Sequence, residues 1–214
     1  MKKFLLLLVM CLGLMLPVQA DNIMPSSVDF NDIRTLGLYQ IPKDITIYEK
    51  PDETSGVINN IKWSAVDIYP AGVKFSDLFV VFIPSKELGY AAVTDETDGW
   101  IEIIYNNRTG ETGWIKKDDP YKFLTWLNFY NTYGRKYGLY ILKGAPDEVK
   151  NIRSGNDEMS QLLSEINMPT KIKLNAIRGN WALISVLDFD REPKTGYIRW
   201  RGDDGIRYLF PDIK

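Results

Sequence analysis

The sequence predicts an all-β protein made of two copies of one small unit, joined by a single amphipathic helix. Three observations carry this. Residues 98–116, DGWIEIIYNNRTGETGWIK, hold two Gly-Trp pairs fourteen residues apart around a polar run. The same order of signals returns between residues 137 and 200. Between the copies, DDPYKFLTWLNFYNTYGRK has helical spacing.

Residues 1–20 read as a secretory signal peptide. Lys2 and Lys3 start it, residues 4–16 are apolar apart from Gly13, and Val18-Gln19-Ala20 supplies small residues for cleavage. The apolar run is short for a bilayer span. A retained membrane anchor is the alternative reading. A lipid anchor on Cys11 is a weaker one, because Leu8-Val9-Met10 precedes it in place of small residues. Residues 21–36 read as an extended arm with at most one helical turn.

Residues 37–118 form the first copy. Tyr39 with Ile41, and Ile45 with Ile47, alternate as in short strands. Residues 51–56, PDETSG, are a turn cluster. FVVFIP, residues 79–84, is continuously apolar and predicts burial, and YAAVT adds a strand. In WIEIIY, Ile101, Ile103 and Tyr105 share one face while Trp100, Glu102 and Ile104 share the other. Asn106 to Glu111 supplies turn residues, and TGWIK returns antiparallel with Ile115 inward. The two Gly-Trp pairs thus mark two strands of one hairpin.

Residues 119–136 read as the linking helix, running over 120–133. Asp119 stands as N-cap, Pro120 at the first helical position and Gly134 as the stop. Phe123, Leu124, Leu127 and Tyr130 form its apolar stripe, widened by Trp126, Phe129 and Tyr133. Residues 137–214 form the second copy. GLYILKGAPDE answers GLYQI and EKPDE, KIKLNAIRGNWALISV answers YAAVTDETDGWIEIIY, and TGYIRW answers TGWIKK. NDEMSQLLSEI, residues 156–166, has helical propensity, but its counterpart is a turn leading to a strand. The repeat decides for the strand.

The motifs Asp98-Gly99-Trp100 with Ile103 and Thr112-Gly113-Trp114-Ile115 recur as Gly179-Asn180-Trp181 with Ile184 and Thr195-Gly196-Tyr197-Ile198. Together with the upstream EKPDETSGVI, this order resembles the bacterial SH3-like domain, over most of residues 37–118 and 137–205. The resemblance implies two small SH3-like β-barrels in tandem, in an exported protein of the bacterial envelope. It also implies binding of peptidoglycan or a partner protein, often beside a catalytic domain. No catalytic domain is left over here. The chain departs from the pattern in an insertion near residues 71–88, in the linking helix, and in Tyr197 where the family has Trp.

Composition narrows the chemistry. There is no His, and the one Cys, Cys11, lies in the leader. Cys-His peptidases, Ser-His-Asp triads and ordinary zinc sites are therefore excluded for residues 21–214. Without Lys2 and Lys3 the chain has 24 basic and 28 acidic residues, a net charge of −4, so no basic nucleic-acid footprint exists. The acidic groups Asp95, Glu96, Asp98 and Asp188, Asp190, Glu192 sit beside turns and read as solvated loops. DFDREPKTG lacks the Gly and the distal Glu of a calcium loop. The RGD in residues 201–203 and the NRT sequon at 107–109 read as turns.

The aromatic residues Tyr48, Trp100, Trp114, Tyr140, Trp181, Tyr197 and Trp200 are the candidate ligand contacts, because their faces stack on sugar rings or clamp a peptide. Packing is the competing role for each. Leu183 shares a face with Trp181, which predicts a face covered by the linking helix or by the other unit, and two units docked through the helix. The expectation is a non-catalytic protein that needs no cofactor or metal. It binds a cell-wall polymer, or alternatively acts as an envelope scaffold for a protein. It does not bind nucleic acid and keeps no membrane span after leader cleavage. An enzyme using a carboxylate pair is the third reading.

Overall fold

The computed structural model describes residues 20–166, 171–187 and 193–213. The predicted leader up to residue 19, and the acidic group Asp188, Asp190 and Glu192, lie outside them. The protein is mostly β, with two sheets and one short helix between them. Among the described residues, no helix is long and apolar enough to cross a membrane.

The first sheet contains β1 (Gly37–Gln40), β2 (Asp44–Tyr48), β3 (Val57–Trp63), β4 (Ile68–Tyr69), β5 (Val81–Ile83), β6 (Leu88–Thr97), β7 (Trp100–Asn106), β8 (Glu111–Lys116) and β9 (Phe123–Thr125). A one-turn helix, α1 (Phe75–Leu78), precedes β5. The second sheet contains β10 (Leu139–Ile141), β11 (Asn151–Arg153), β12 (Leu162–Glu165), β13 (Lys171–Arg178), β14 (Trp181–Leu187), β15 (Lys194–Arg199) and β16 (Leu209–Pro211).

The repeat in the sequence is a repeat in topology. The first sheet runs β3-β2-β8-β7-β6-β1-β9, and the second runs β12-β11-β15-β14-β13-β10-β16. Two of the irregularities coincide as well. A bulge between Ile47 and Tyr48 has its counterpart between Ile152 and Arg153, and one between Val93 and Asp95 has its counterpart between Leu174 and Ala176. A bulge re-aims the residues after it, so equivalent bulges place equivalent side chains on the same face. The strand expected within residues 156–166 is β12.

Two expectations are corrected. Neither sheet closes into a barrel: the paired strands end at β4 and β9 in one sheet and at β12 and β16 in the other. The open side of the core is filled by the helix instead, through Phe129 and Tyr130. The helix is also shorter at its start than expected. Phe123 and Leu124 belong to β9, which pairs with β1. The helix, α2, spans residues 126–137, with a wider turn at Tyr130–Gly134 between Trp126–Phe129 and Arg135–Tyr137. Its N-cap is Thr125, whose hydroxyl accepts from the Asn128 amide at 3.3 Å. It stops at Gly138, with φ +90°, and not at Gly134. Trp126, Phe129, Tyr130 and Gly134 are buried on one stripe, whereas Leu127 faces solvent.

α2 joins the two cores. Along β6, Ala91 and Val93 face the first core, while Tyr90 and Ala92 face the helix and the second sheet. Both faces are buried over residues 90–93, which is why YAAV is continuously apolar. The arm ties the halves further. Ile23 exchanges two backbone hydrogen bonds with Phe82, and the Val28 amide donates to the Lys143 carbonyl. Asn31 bonds the backbone of Arg207 in both directions.

Candidate functional site

The outward residues of the two sheets form matching rows. In the first copy, Val57, Tyr48, Trp114 and Glu102 are successive cross-strand neighbours over β3, β2, β8 and β7. Ile47 and Ile115 point inward, so alternation turns Tyr48 and Trp114 outward. Trp100 pairs with Lys116 and meets the Tyr48 ring edge-on, with centroids 5.4 Å apart. In the second copy the row is Leu162, Arg153, Tyr197 and Leu183, and Trp181 pairs with Arg199.

The polar groups of the first row are held in place. Thr94 and Thr112 donate to the two carboxylate oxygens of Glu102 at 2.5 and 3.1 Å. Lys116 is ion-paired with Glu53, which holds its ammonium above the ordinary lysine range. In the second row the Arg199 guanidinium lies 5.8 Å from the Trp181 ring centre. It is ion-paired with Glu158 and with Asp203, the latter at 2.6 Å. Arg153 donates to the Ser160 carbonyl at 2.9 Å.

Of the seven candidate residues, Tyr48, Trp100 and Trp114 come together on one half-buried face, and Trp181 and Tyr197 on the equivalent one. Helix α2 does not cover the second face: it packs on the inward side, where Ala182, Ile184 and Val186 are buried. The remaining two are structural. Trp200 is 2% exposed, donates to the Gly179 carbonyl at 3.0 Å and packs on Tyr130 at 4.7 Å. The Tyr140 hydroxyl donates to the Pro25 carbonyl, and burial raises its pKa. Val57 and Leu162, each about half exposed, were not singled out from the sequence, although cross-strand counting from Tyr48 and from Arg153 leads to them.

The arrangement suits binding. Half-buried rings stand beside the Glu102 carboxylate and the Lys116–Glu53 ion pair, a surface that can stack an apolar sugar face or an apolar side chain and bond its polar rim. The other motifs are used internally. Asp203 of the RGD accepts from Asn180 at 2.8 Å and pairs with Arg199, and Arg201 donates to Asn180 at 3.0 Å. Asn107 of the sequon donates to the Ser76 carbonyl at 3.1 Å, docking the β7–β8 tip on α1. Glu96 is ion-paired with Lys117.

No family model matches the chain, and no curated protein matches it.

Proposed function

We propose that this chain is a non-catalytic, exported binding protein of the bacterial cell envelope, and that each sheet is an open variant of the SH3-like fold. Its outer rows recognise a wall polymer, with peptidoglycan the leading candidate. The observation that carries this reading is the Tyr48–Trp100–Trp114 face, whose position recurs at Arg153–Trp181–Tyr197. Aromatic faces with hydrogen-bonding groups at their rim hold sugar rings by stacking and fix them by polar contacts.

A protein ligand is the second reading. It is favoured by Val57 and Ile58, which are exposed beside the first row, and by Leu162 and Leu163 in the same positions of the second. Adjacent aliphatic residues suit an apolar side chain better than a sugar hydroxyl edge.

Co-sedimentation with purified, protein-free peptidoglycan tests the first reading. Saturable binding is expected, weakened about tenfold by Trp114→Ala, with Tyr197→Ala testing the second row. Absence of binding, with capture of an envelope protein by crosslinking that Trp114→Ala abolishes, selects the protein ligand. Binding that neither folded variant changes rejects the outer rows as the site.

A further inference from the structure

The parts of the chain that break the internal repeat converge on one cleft. The arm, α1, the β7–β8 tip and the first residue of α2 together enclose about 500 Å³. Among the described residues, neither the arm nor α1 has a counterpart in the second copy. The volume lies in the range of small-molecule sites, about 300–1,000 Å³. The walls are mainly apolar, with Phe30, Phe79, Val80 and Trp126 among them.

The walls are fixed by hydrogen bonds. The Asn107 amide donates to the Asp77 carbonyl at 2.7 Å, joining the hairpin tip to α1. The Trp126 indole donates to the Thr35 carbonyl at 3.1 Å, joining α2 to the arm. Behind the rings of Trp126 and Phe30 lies the Arg207 guanidinium, 4% exposed, 4.0 and 5.4 Å from the two ring centres. It lies behind the lining and not in it, and its Nη2 donates to the Thr35 hydroxyl at 3.4 Å.

The polar groups of the lining decide the ligand. Asn31 and Thr35 are engaged by the backbone of Arg207, the Asp32 carbonyl and the Trp126 indole. Asp32 is neutralised by the Arg34 guanidinium at 2.5 Å. Asp29 is different: among the described residues its carboxylate accepts only the Ser27 hydroxyl, at 2.9 Å, and has no ion-pair partner. The Asn107 side-chain oxygen makes no hydrogen bond among the described residues. Among the described residues, no lysine or arginine lines the cleft. The groups left over are thus the Asp29 charge, the Asn107 oxygen and the exposed Ser76 hydroxyl, against an apolar floor.

We propose that the cleft binds a small amphipathic cation: an apolar or aromatic body against Phe30, Phe79 and Trp126, with an ammonium group at Asp29. A carboxylate in the same place would meet the Asp29 charge with no lining cation among the described residues to offset it. This site is separate from the outer rows and does not depend on the reading given for them.

The test is isothermal titration of the protein with three probes of one shape: 2-phenylethylamine, 2-phenylethanol and 3-phenylpropanoate. The amine is expected to saturate at millimolar concentration, at least fivefold more tightly than the alcohol, with no binding of the carboxylate. Asp29→Asn is expected to lower the amine to the affinity of the alcohol, and Ser76→Arg, at the exposed rim, to abolish amine binding. Both positions are exposed, so the fold is kept. An end-blocked Phe-Lys dipeptide distinguishes the source: binding tighter than that of the free amine, lost in Asp29→Asn, assigns the ammonium to a lysine side chain. The proposal is overturned if no probe saturates, if the carboxylate binds as well as the amine, or if Asp29→Asn leaves the preference unchanged.

Discussion

The two Gly-Trp pairs of residues 98–116 look alike and do different work. Gly99 has φ +72° with open space around it, so it is there for the turn. At Gly113 a Cβ would stand 2.4 Å from the Ile47 Cγ2, so it is there for close packing. The second copy repeats the distinction, with Gly179 at φ +59° and Gly196 2.5 Å from the Ile152 Cγ2. Gly99→Asn is therefore expected to cost less than about 1 kcal/mol, because Asn enters the left-handed region readily. Gly113→Ala is expected to cost roughly 1–3 kcal/mol by overpacking. Urea midpoints of the two variants check this, and an unshifted Gly113→Ala midpoint refutes it. The sequence shows that glycine is needed at both sites, but not which property of glycine is used. The same limit applies to the aromatics. Alternation from Ile115 places Trp114 outward, and alternation from Ile198 turns Trp200 inward. Tyr140 is different: its neighbours along the strand do not reveal that the arm covers it.

At the scale of elements, the segment before α2 carries two periods at once. Phe123 and Leu124 continue a helical stripe on paper, and Asp119-Pro120 imitates a helix start. The β1 edge settles the competition by pairing with residues 123–125, which moves the cap to Thr125. Thr125→Ala is expected to lose about 1 kcal/mol, and Asp119→Ala less than about 0.5 kcal/mol. Thermal unfolding of the pair measures the difference, and the reverse order would return the helix start to Asp119. In residues 156–166 the repeat was the better guide. Leu162 pairs with Arg153 across the same bulge that sets Val57 against Tyr48, and this pairing outweighs local helical propensity. Where the pairing of each sheet ends is set by long-range contacts, which no local pattern encodes.

Over the whole molecule, the buried tyrosines set the response to alkali. Burial raises the pKa of Tyr39, Tyr90, Tyr130 and Tyr140 above the ordinary value near 10. Above pH 10 the unfolded chain releases these protons while the folded chain keeps them, so stability falls as pH rises. Arg207 acts in the opposite sense. Burial lowers it to about 10, so from there upward the unfolded chain holds the more protons and this group adds stability. Four tyrosines against one arginine give a net loss. Denaturant unfolding at pH 8 and pH 11 is expected to show one transition that is weaker at the higher pH, with a larger loss in Arg207→Met. A stability that does not fall between these pH values contradicts the burial of these hydroxyls. Two sheets in one order could be inferred from the repeat, whereas their common core could not, because α2 and the arm stand outside the repeat. The arm has a kinetic consequence. Asn31 and its partner Arg207 lie 176 residues apart, so that contact closes almost the longest loop the chain allows. The arm leaves the ribosome long before its partner and is thus among the last segments to find its place, and until the final hairpin is made the polypeptide lacks the clasp that fastens one half to the other.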